Sequence, residues 1–303
     1  MNKSKVGILV FISEDTTGKA REATDRFYEE IKLSGFGVDI FYSYLFSVYF
    51  EKNKLEIFYN QKKINLSKYK FFISRYTNSE YPRIAVARFI EAQGYKVFNS
   101  PQAAFLTKNK RESLLKLSQA GLPITPTGIN FSQYFLGPHL KRNKNNPIVI
   151  KRNYGSLGSN VSIFHSHISF ISFMEFISSI LKPSEILIQP YIEARAEDYR
   201  ILVVGNKVVA GMKRKAQGIE FRANLAKGGS GEKINMTKKM ADMAIKAAQV
   251  LGLDFAGVDL IKDKNGKLML VEVNSNPGLE IENITGVNVV KEIVKHCVKK
   301  SDT

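Results

Sequence analysis

The sequence predicts an α/β protein built from two or three packed lobes, with a mostly parallel sheet in the first and antiparallel pairing later. Three observations lead there. Over the first hundred residues, β-branched runs alternate with amphipathic ones at the spacing of strand–helix units. Beyond Gly121 the pattern changes to strand, glycine-rich turn, strand over NPIVIKRNYGSLGSNVSIF. From residue 198, DYRILVVG and NKVVAGMKRKA meet at Gly205-Asn206, a hairpin signal.

Taken in order, residues 5–12 (KVGILVFI) read as a strand and residues 19–34 as a helix closed by Gly35. VDIFYSYLF reads as a second strand, KFFISRY (70–76) as a third, 83–93 as a helix ending at Gly94, and YKVFNS as a fourth strand. This lobe ends near Pro101. A helix is expected near 108–120, ending at Gly121. The strand–turn–strand of 148–164 follows, then a helix over 167–181, a strand at EILIQPYI, and the 198–216 hairpin. A helix over 237–251, two further strands (AGVDLIK and KLMLVEVN) and an amphipathic helix over 285–300 complete the chain. No internal repeat or low-complexity linker interrupts it.

The bulk numbers narrow the class. The chain has 303 residues, 44% of them hydrophobic, enough for a real core and too apolar for disorder. The single cysteine, Cys297, rules out an intramolecular disulfide and favours a reducing, cytoplasmic setting. The seven-residue apolar run near the N-terminus suits a first strand rather than a secretion signal, and FYSYLFSVYF stops well short of the ~20 residues of a membrane helix. The formal net charge is +17. Such a balance suits nucleic acid, an anionic membrane or an acidic substrate, and equally a Lys-rich compositional bias without a specific partner. The basic residues are spread along the chain, with KRNK (141–144) and KRK (213–215) as local concentrations, and no nucleic-acid-binding motif accompanies them.

The chemistry concentrates in VDLIKDKNGKLMLVEVNSNPG (258–278). Asp259 is embedded in an apolar run, and Glu272 and Asn274 flank a valine in another, where acids are rare unless something pairs with them. With a tight turn over Asp263–Gly266, Lys262 is expected to face Lys267 and Asp259 to face Leu270. Glu272 then lies diagonal to Asp259, roughly 7–8 Å away, and Asn274 shares its face. Two carboxylates and an amide oxygen suit Mg²⁺ or Mn²⁺, and a Mg²⁺ with few protein ligands usually holds phosphate as well. No Walker motif is present. The glycine-rich turn Asn153–Asn160 can bring backbone N–H groups close to phosphate oxygens, and Lys151 ends the apolar strand before it. Lys110 is a second cationic candidate. QPYI (189–192) is a candidate adenine slot, and Arg222 with Asn224, in the aperiodic EFRANLAKGG, suits a loop presenting charge to an anionic reactant.

These segments, in this order, resemble the ATP-grasp superfamily, and within it the RimK-type α-L-glutamate ligases. The resemblance rests on FISRYTNS, NSPQAAFLTKNKRESLLKLSQAGLPITPTG, IVIKRNYGSLGSNV, LIQPYIEARAEDYRILVVGNKVVAGMKRKA, FRANLAKGG, GVDL, EVNSNPGLE and the TGV that opens the last helix, and covers most of the chain. The sequence departs from the family pattern in GSLGSN, in LEIEN after NPG, and in a linker between QPYI and DYR one residue shorter than expected.

The resemblance implies an ATP-grasp fold: an N-terminal α/β domain over 1–100, a central lobe with a glycine-rich flap over 101–188, and a C-terminal lobe with the metal site over 189–303, with ATP clasped between the last two. It implies that Lys110 and Lys151 contact ATP phosphates, that Gly155, Ser156 and Gly158 form the flap, and that Gln189, Pro190, Tyr191 and Ile192 line the adenine site with Asp198 toward the ribose. Arg222 and Asn224 would meet phosphoryl and acyl-phosphate oxygens, Asp259, Glu272 and Asn274 would ligate two Mg²⁺ or Mn²⁺, and Arg200, Lys213 and Arg214 would face the reactants. The implied reaction is ADP-forming amide ligation through an acyl phosphate. Glutamate would be added to an acidic acceptor, a small molecule or a protein C-terminus. The alternative is an ATP-grasp ligase that uses another amino acid or modifies a peptide or acidic carrier protein. Neither a membrane nor a nucleic acid is an expected partner, and a homo-oligomer is left open.

Overall fold

The computed structural model describes residues 4–11, 18–52, 54–76, 81–129, 136–143, 147–154, 160–178, 180, 185–194, 197–217 and 229–303. The chain begins with β1 (Lys5–Phe11), α1 (Lys19–Leu33) and β2 (Gly37–Tyr42). Gly35, at φ +89°, turns the chain out of α1 in the left-handed conformation that glycine adopts without a steric penalty. The expected single strand VDIFYSYLF is divided. The β1–β2 ladder ends at Val10–Tyr42, a 3₁₀ turn takes up Ser43–Leu45, and the chain leaves the sheet. Residues 46–63 form a separate antiparallel meander of β3 (Phe46–Glu51), β4 (Lys54–Tyr59) and β5 (Lys62–Lys63). Then come β6 (Tyr69–Tyr76), α2 (Tyr81–Ala92) and β7 (Val97–Phe98). The first sheet has the order β2-β1-β6-β7 and is wholly parallel, as the alternation of strand and helix predicts.

The helix expected near 108–120 is α4 (Lys110–Gln119), and a further helix, α3 (Pro101–Lys108), precedes it. Asn109 leaves the helical region (φ −90°, ψ 94°) and its Oδ1 accepts from the backbone N–H of Glu112, so one residue ends one helix and caps the next. The middle of the chain supplies β8 (Gly128–Ile129), α5 (Gly137–Arg142), β9 (Ile148–Arg152), β10 (Val161–Phe164), α6 (His167–Ile177) and β11 (Ile186–Pro190), with sheet order β10-β9-β11-β8. The last part contains β12 (Glu197–Val204), β13 (Lys207–Lys215), β14 (Ser230–Lys233), α7 (Lys238–Val250), β15 (Phe255–Lys262) and β16 (Leu268–Asn274), in the order β14-β13-β12-β15-β16. The chain ends in α8 (Glu280–Thr285) and α9 (Val289–Ser301) rather than one helix from 285. Gly286, at φ +72°, stops α8, and Asn288 Oδ1 accepts from Lys291 N–H at 2.9 Å to start α9. Among the described residues no helix is long and apolar enough to cross a membrane.

Core packing ties the parts together. One face of the parallel sheet (Val6, Ile8, Val10, Phe71, Ile73) packs with Phe27 and Ile31 of α1, and with Val289, Val290, Ile293, Val294 and Cys297 of α9. Burying a Val or Ile side chain stabilises by roughly 1.5–3 kcal/mol, so the last helix is integral to the first lobe. Cys297 is part of this core; burial and the nearby Asp254 push its thiol pKa up, which suits packing rather than chemistry. The opposite sheet face packs on Ile84, Ala87 and Ile90 of α2 and on Ile57 of the meander. Ala103, Leu114 and Leu117 of α3 and α4 pack with Met240, Met243 and Ala244 of α7, so these two helices belong to the core of the last sheet. The middle sheet has its own core against Phe170 and Met174 of α6.

Asn99 joins the first lobe to the last. It is fully buried; its Nδ2 donates to the carbonyls of Phe255 and Ser275, both at 2.8 Å, and its Oδ1 accepts from the N–H of Asp254 (2.6 Å) and Phe255 (3.1 Å). Asn99→Ala leaves four buried backbone groups unpaired, at about 1 kcal/mol or more each. The expected result is a loss of about 3–4 kcal/mol in urea unfolding, and a loss below about 1 kcal/mol would show the joint is not held by this side chain.

Candidate functional site

The site lies where the middle sheet meets the last one. In β9 and β11, Ile148, Ile150, Ile186 and Ile188 enter the core beneath α6, so strand alternation turns Val149, Lys151, Leu187 and Gln189 the other way. Leu187 packs in the core of the last sheet, which brings that face against α7's lobe. Gln189 is buried, and its Nε2 donates to Thr125 Oγ1 (3.1 Å) and Thr127 Oγ1 (2.8 Å). Its side chain is therefore committed within the protein. Pro190 ends β11, and Tyr191 N–H donates to Pro147 O at 2.7 Å. Tyr191 and Ile192 are half-buried at the sheet's edge.

The β15–β16 hairpin brings the three oxygen-bearing side chains together, by a different register from the expected one. Lys262 pairs with Leu268, Ile261 with Met269 and Leu260 with Leu270. The register then shifts by one residue, and Asp259 pairs directly with Glu272, Val258 with Val273 and Gly257 with Asn274. Sequence spacing set Leu270 opposite Asp259. A β-bulge instead turns Leu270 into the core against α7 with Leu260 and Val258, and puts Glu272 directly across from Asp259. Asn274 Nδ2 donates to Glu272 Oε1 at 3.0 Å, which leaves Asn274 Oδ1 as an acceptor.

Two arginines meet Asp259 on the same face. Arg200 lies opposite Asp259 in β12 and makes a two-pronged pair with it, Nε to Oδ1 and Nη2 to Oδ2, the latter at 2.8 Å. Arg214 in β13 donates to both oxygens of Asp198 (2.6 and 2.7 Å), and its Nη2 stands 3.2 Å from Asp259 Oδ2. Arg214 is almost fully buried, and although burial opposes its charge, the two carboxylates hold its pKa above the ordinary arginine range. Burial and the neighbouring Asp259 push Asp198 up against the pull of Arg214. Asp198 is thus an arginine partner.

Three lysines from the middle of the chain bear on Glu272. Burial tends to raise its pKa, but Lys110, the Asn274 amide, Lys151 and Arg200 outweigh that and pull it down to about 2. Lys151 has its pKa lowered by burial and by Lys110, while Glu272, Asp259 and Asp198 oppose the shift. Lys108, which the sequence reading did not single out, lines the same pocket as Lys110, Glu272 and Asn274. Burial and Lys110 bring its pKa down to about 8, against the pull of Glu272. The signal for it was the Lys-Asn-Lys spacing, whose meaning depends on the helix break at Asn109. The start of the glycine-rich turn is fixed to the same place: Lys110 N–H donates to Asn153 O, and Arg111 N–H to Asn153 Oδ1.

Three lysines beside an ionised glutamate give this place a cation surplus suited to an anion, with oxygen-bearing side chains next to it. The donor set fits a hard cation. Of the roughly four lone-pair positions on the Asp259 carboxylate the arginines take three, and the Asn274 amide contacts only Oε1 of Glu272.

Lys213 is not brought into this group. It alternates to the other face of β13, opposite Tyr199, and pairs with Glu232 (2.6 Å) and Glu197 (3.8 Å). Gly155, Ser156 and Gly158 of the expected flap, and Arg222 and Asn224, lie outside the described residues.

Known proteins resemble this chain in sequence and in fold. A family model described as the RimK-like ATP-grasp domain matches residues 107–297. A probable alpha-L-glutamate ligase of Marinomonas sp. (strain MWYL1) is 39% identical over 217 residues, 71% of each chain. One of Pasteurella multocida (strain Pm70) is 37% identical over 218 residues, 71% of this chain and 68% of that one. Among solved structures, the ATP-grasp ligase PsnB complexed with a minimal precursor superposes with a TM-score of 0.75 at 17% identity, over 99% of this chain and all of that one. The D-cycloserine synthetase DcsG gives 0.74 at 14% identity, over 97% and 100%. The solved structures carry the fold, the sequence relatives carry the family, and the chain belongs to the RimK-like ATP-grasp ligases.

Proposed function

We propose that this ligase uses ATP to activate a carboxylate of an acidic acceptor as an acyl phosphate, and joins to it the amine of glutamate. The observation that carries the reading is the convergence of Lys108, Lys110 and Lys151 on Glu272, across from Asp259 and beside Asn274. The printed name of the sequence relatives, probable alpha-L-glutamate ligase, supports glutamate as the amine.

The lysines hold the phosphate oxygens by charge, as compact ammonium groups do. Asp259, Glu272 and Asn274 would hold Mg²⁺ or Mn²⁺, which supplies neutralisation of the charge that develops on the transferred phosphoryl group. Arg200, which pairs with Asp259, would receive the acceptor's reacting carboxylate at the edge of this group. Gly155, Ser156 and Gly158 would close over the phosphates, and Pro190–Ile192 would edge the adenine. Arg222 and Asn224 would stabilise the oxyanion when the amine attacks the acyl carbon. No protein nucleophile takes part.

The test is ADP release with Mg²⁺ and ATP over a panel of single amino acids, with and without a peptide ending in glutamates, using Glu272→Ala as the blank. Release that requires both glutamate and peptide, with a product heavier by one glutamyl residue, is the expected outcome. Release with a different amino acid would replace glutamate in this reading. Release without any amino acid would remove amide formation from it.

A further inference from the structure

Asp259 faces two kinds of partner, and its present contacts do not serve both. Arg200 Nε and Nη2 hold its Oδ1 and Oδ2, and Arg214 Nη2 stands 3.2 Å from Oδ2. A carboxylate oxygen accepts about two hydrogen bonds, so Oδ2 is filled and Oδ1 has one position left. That position lies on the oxygen that Arg200 Nε also holds. A divalent cation there would stand against the guanidinium, and the two side chains are only 13% and 6% exposed, so water screens little of the repulsion. Full use of Asp259 as a cation ligand needs one arginine to let go.

The two arginines differ in what they would lose. Arg214 donates to both oxygens of Asp198, at 2.6 and 2.7 Å, and keeps that pair if it gives up Asp259. Arg200 has no such second partner: among the described residues its guanidinium hydrogen-bonds to Asp259 alone. Its stem lies over Gly257, where an added β-carbon would come within 3.3 Å of Arg200 Cδ and 3.5 Å of Nη1. A guanidinium that loses its one carboxylate in a largely buried site is strongly disfavoured unless another anion takes the place. The fork is already fitted to a planar carboxylate, in the two-pronged geometry that Asp259 displays. The replacement that conserves both hydrogen bonds is a second carboxylate.

We propose that the acceptor's reacting carboxylate displaces Asp259 from Arg200, and that this exchange frees Asp259 as a cation ligand. The identity of the incoming carboxylate rests on the ligation reading above. The consequence is reciprocal coupling: cation and acceptor each bind more tightly when the other is present. ATP that arrives without an acceptor meets a site in which Arg200 still holds Asp259, and this limits hydrolysis without product.

The test titrates triglutamate calorimetrically into the protein with a saturating non-hydrolysable ATP analogue, in EDTA and in Mn²⁺. The wild type is expected to bind triglutamate at least about tenfold more tightly in Mn²⁺, and Mn²⁺ at least about tenfold more tightly with triglutamate. In EDTA, Asp259→Asn is expected to bind triglutamate at least about fivefold more tightly than wild type, because Arg200 is already released, and adding Arg200→Met should abolish that gain. Glu272→Gln is the control: it removes a charge that bears on Arg200 but leaves the Arg200–Asp259 pair, so its gain in EDTA should stay below about twofold. A carboxylate that only bridges to the cation would give the Mn²⁺ effect without the gain in Asp259→Asn, and that result overturns the inference. So does an equal gain in Glu272→Gln, the same triglutamate affinity in EDTA and Mn²⁺, or no triglutamate binding by the wild type. If Asp259→Asn fails to fold, Arg200→Lys decides: it keeps the charge and loses the fork, so the Mn²⁺ effect on triglutamate should fall below about threefold, and an undiminished effect overturns the inference. Coupling without glutamyl transfer would sink the ligation reading and leave this one standing; transfer with triglutamate affinity independent of Mn²⁺ would do the reverse.

Discussion

Glu272→Gln is expected to cut turnover about 10³-fold, near 4 kcal/mol of transition-state stabilisation, while nucleotide affinity in EDTA stays within a few-fold of wild type. The substitution keeps the size and the contact with Asn274 but removes the carboxylate that Lys110, Lys151 and Arg200 surround. In the proposed reading the lysines remain to hold phosphate and an oxygen donor for the cation is lost, so the effect belongs to the chemical step. Turnover above about one tenth of wild type would refute the assignment of Glu272 as a cation ligand. The same residue predicts a pH effect in the metal-free protein. Its folded pKa, about 2, lies below the ordinary 4.5, so the stability it contributes is present above pH 4.5 and is lost as pH falls toward 2. The wild type should therefore lose stability more steeply than Glu272→Gln between pH 4.5 and 2, by acid titration of the unfolding midpoint.

Arg214→Met is expected to cost about 3–5 kcal/mol in urea unfolding, because it leaves buried carboxylates uncompensated. Arg214 is 4% exposed and sits between Asp198 and Asp259. Without it Asp259 keeps Arg200, but Asp198 loses both of its hydrogen bonds to the guanidinium. The double variant Arg214→Met with Asp198→Asn should recover a large part of the loss, since the stranded charge is removed with its partner. The neighbouring Lys213→Ala supplies the contrast. Lys213 is on the other face, and its 2.6 Å partner Glu232 is largely exposed, so the expected cost is below about 1 kcal/mol with turnover unchanged. A cost below about 1 kcal/mol for Arg214→Met would show that the buried network is not a structural element of the site.

Adjacent residues of KRK at 213–215 thus have opposite fates, and the cause is strand alternation. Read as sequence, Lys213 and Arg214 are equivalent cations. In β13 one points toward Asp198 and the other toward Glu232, and the face of each depends on how β13 lies in the sheet. Lys108 illustrates the same limit in helices. A continuous helix from 108 would carry Lys108 and Lys110 to different sides; the break at Asn109 lets both reach Glu272.

The sequence by itself determined the alternation of strand and helix in the first lobe, the parallel first sheet, the hairpin at Gly205-Asn206, and the turn over Asp263–Gly266 that folds the two acidic strands together, but not the β3–β5 meander, α3 or the division of the last helix. These follow from local chemistry, namely side-chain period, turn residues and helix stops, which operate within a few residues. Tertiary structure alone decided the register of β15 against β16, the choice of Arg200 and Arg214 as partners of Asp259, and the junction of Asn99 with Phe255 and Ser275. The bulge that moves Leu270 to the core is selected by packing against α7, not by any residue of the hairpin turn. The arginines come from strands nearly sixty residues earlier in the case of Arg200, and their meeting with Asp259 is set by sheet order. Such choices depend on which distant surfaces are buried together, and a one-dimensional pattern of polar and apolar residues carries that information only through the fold it produces.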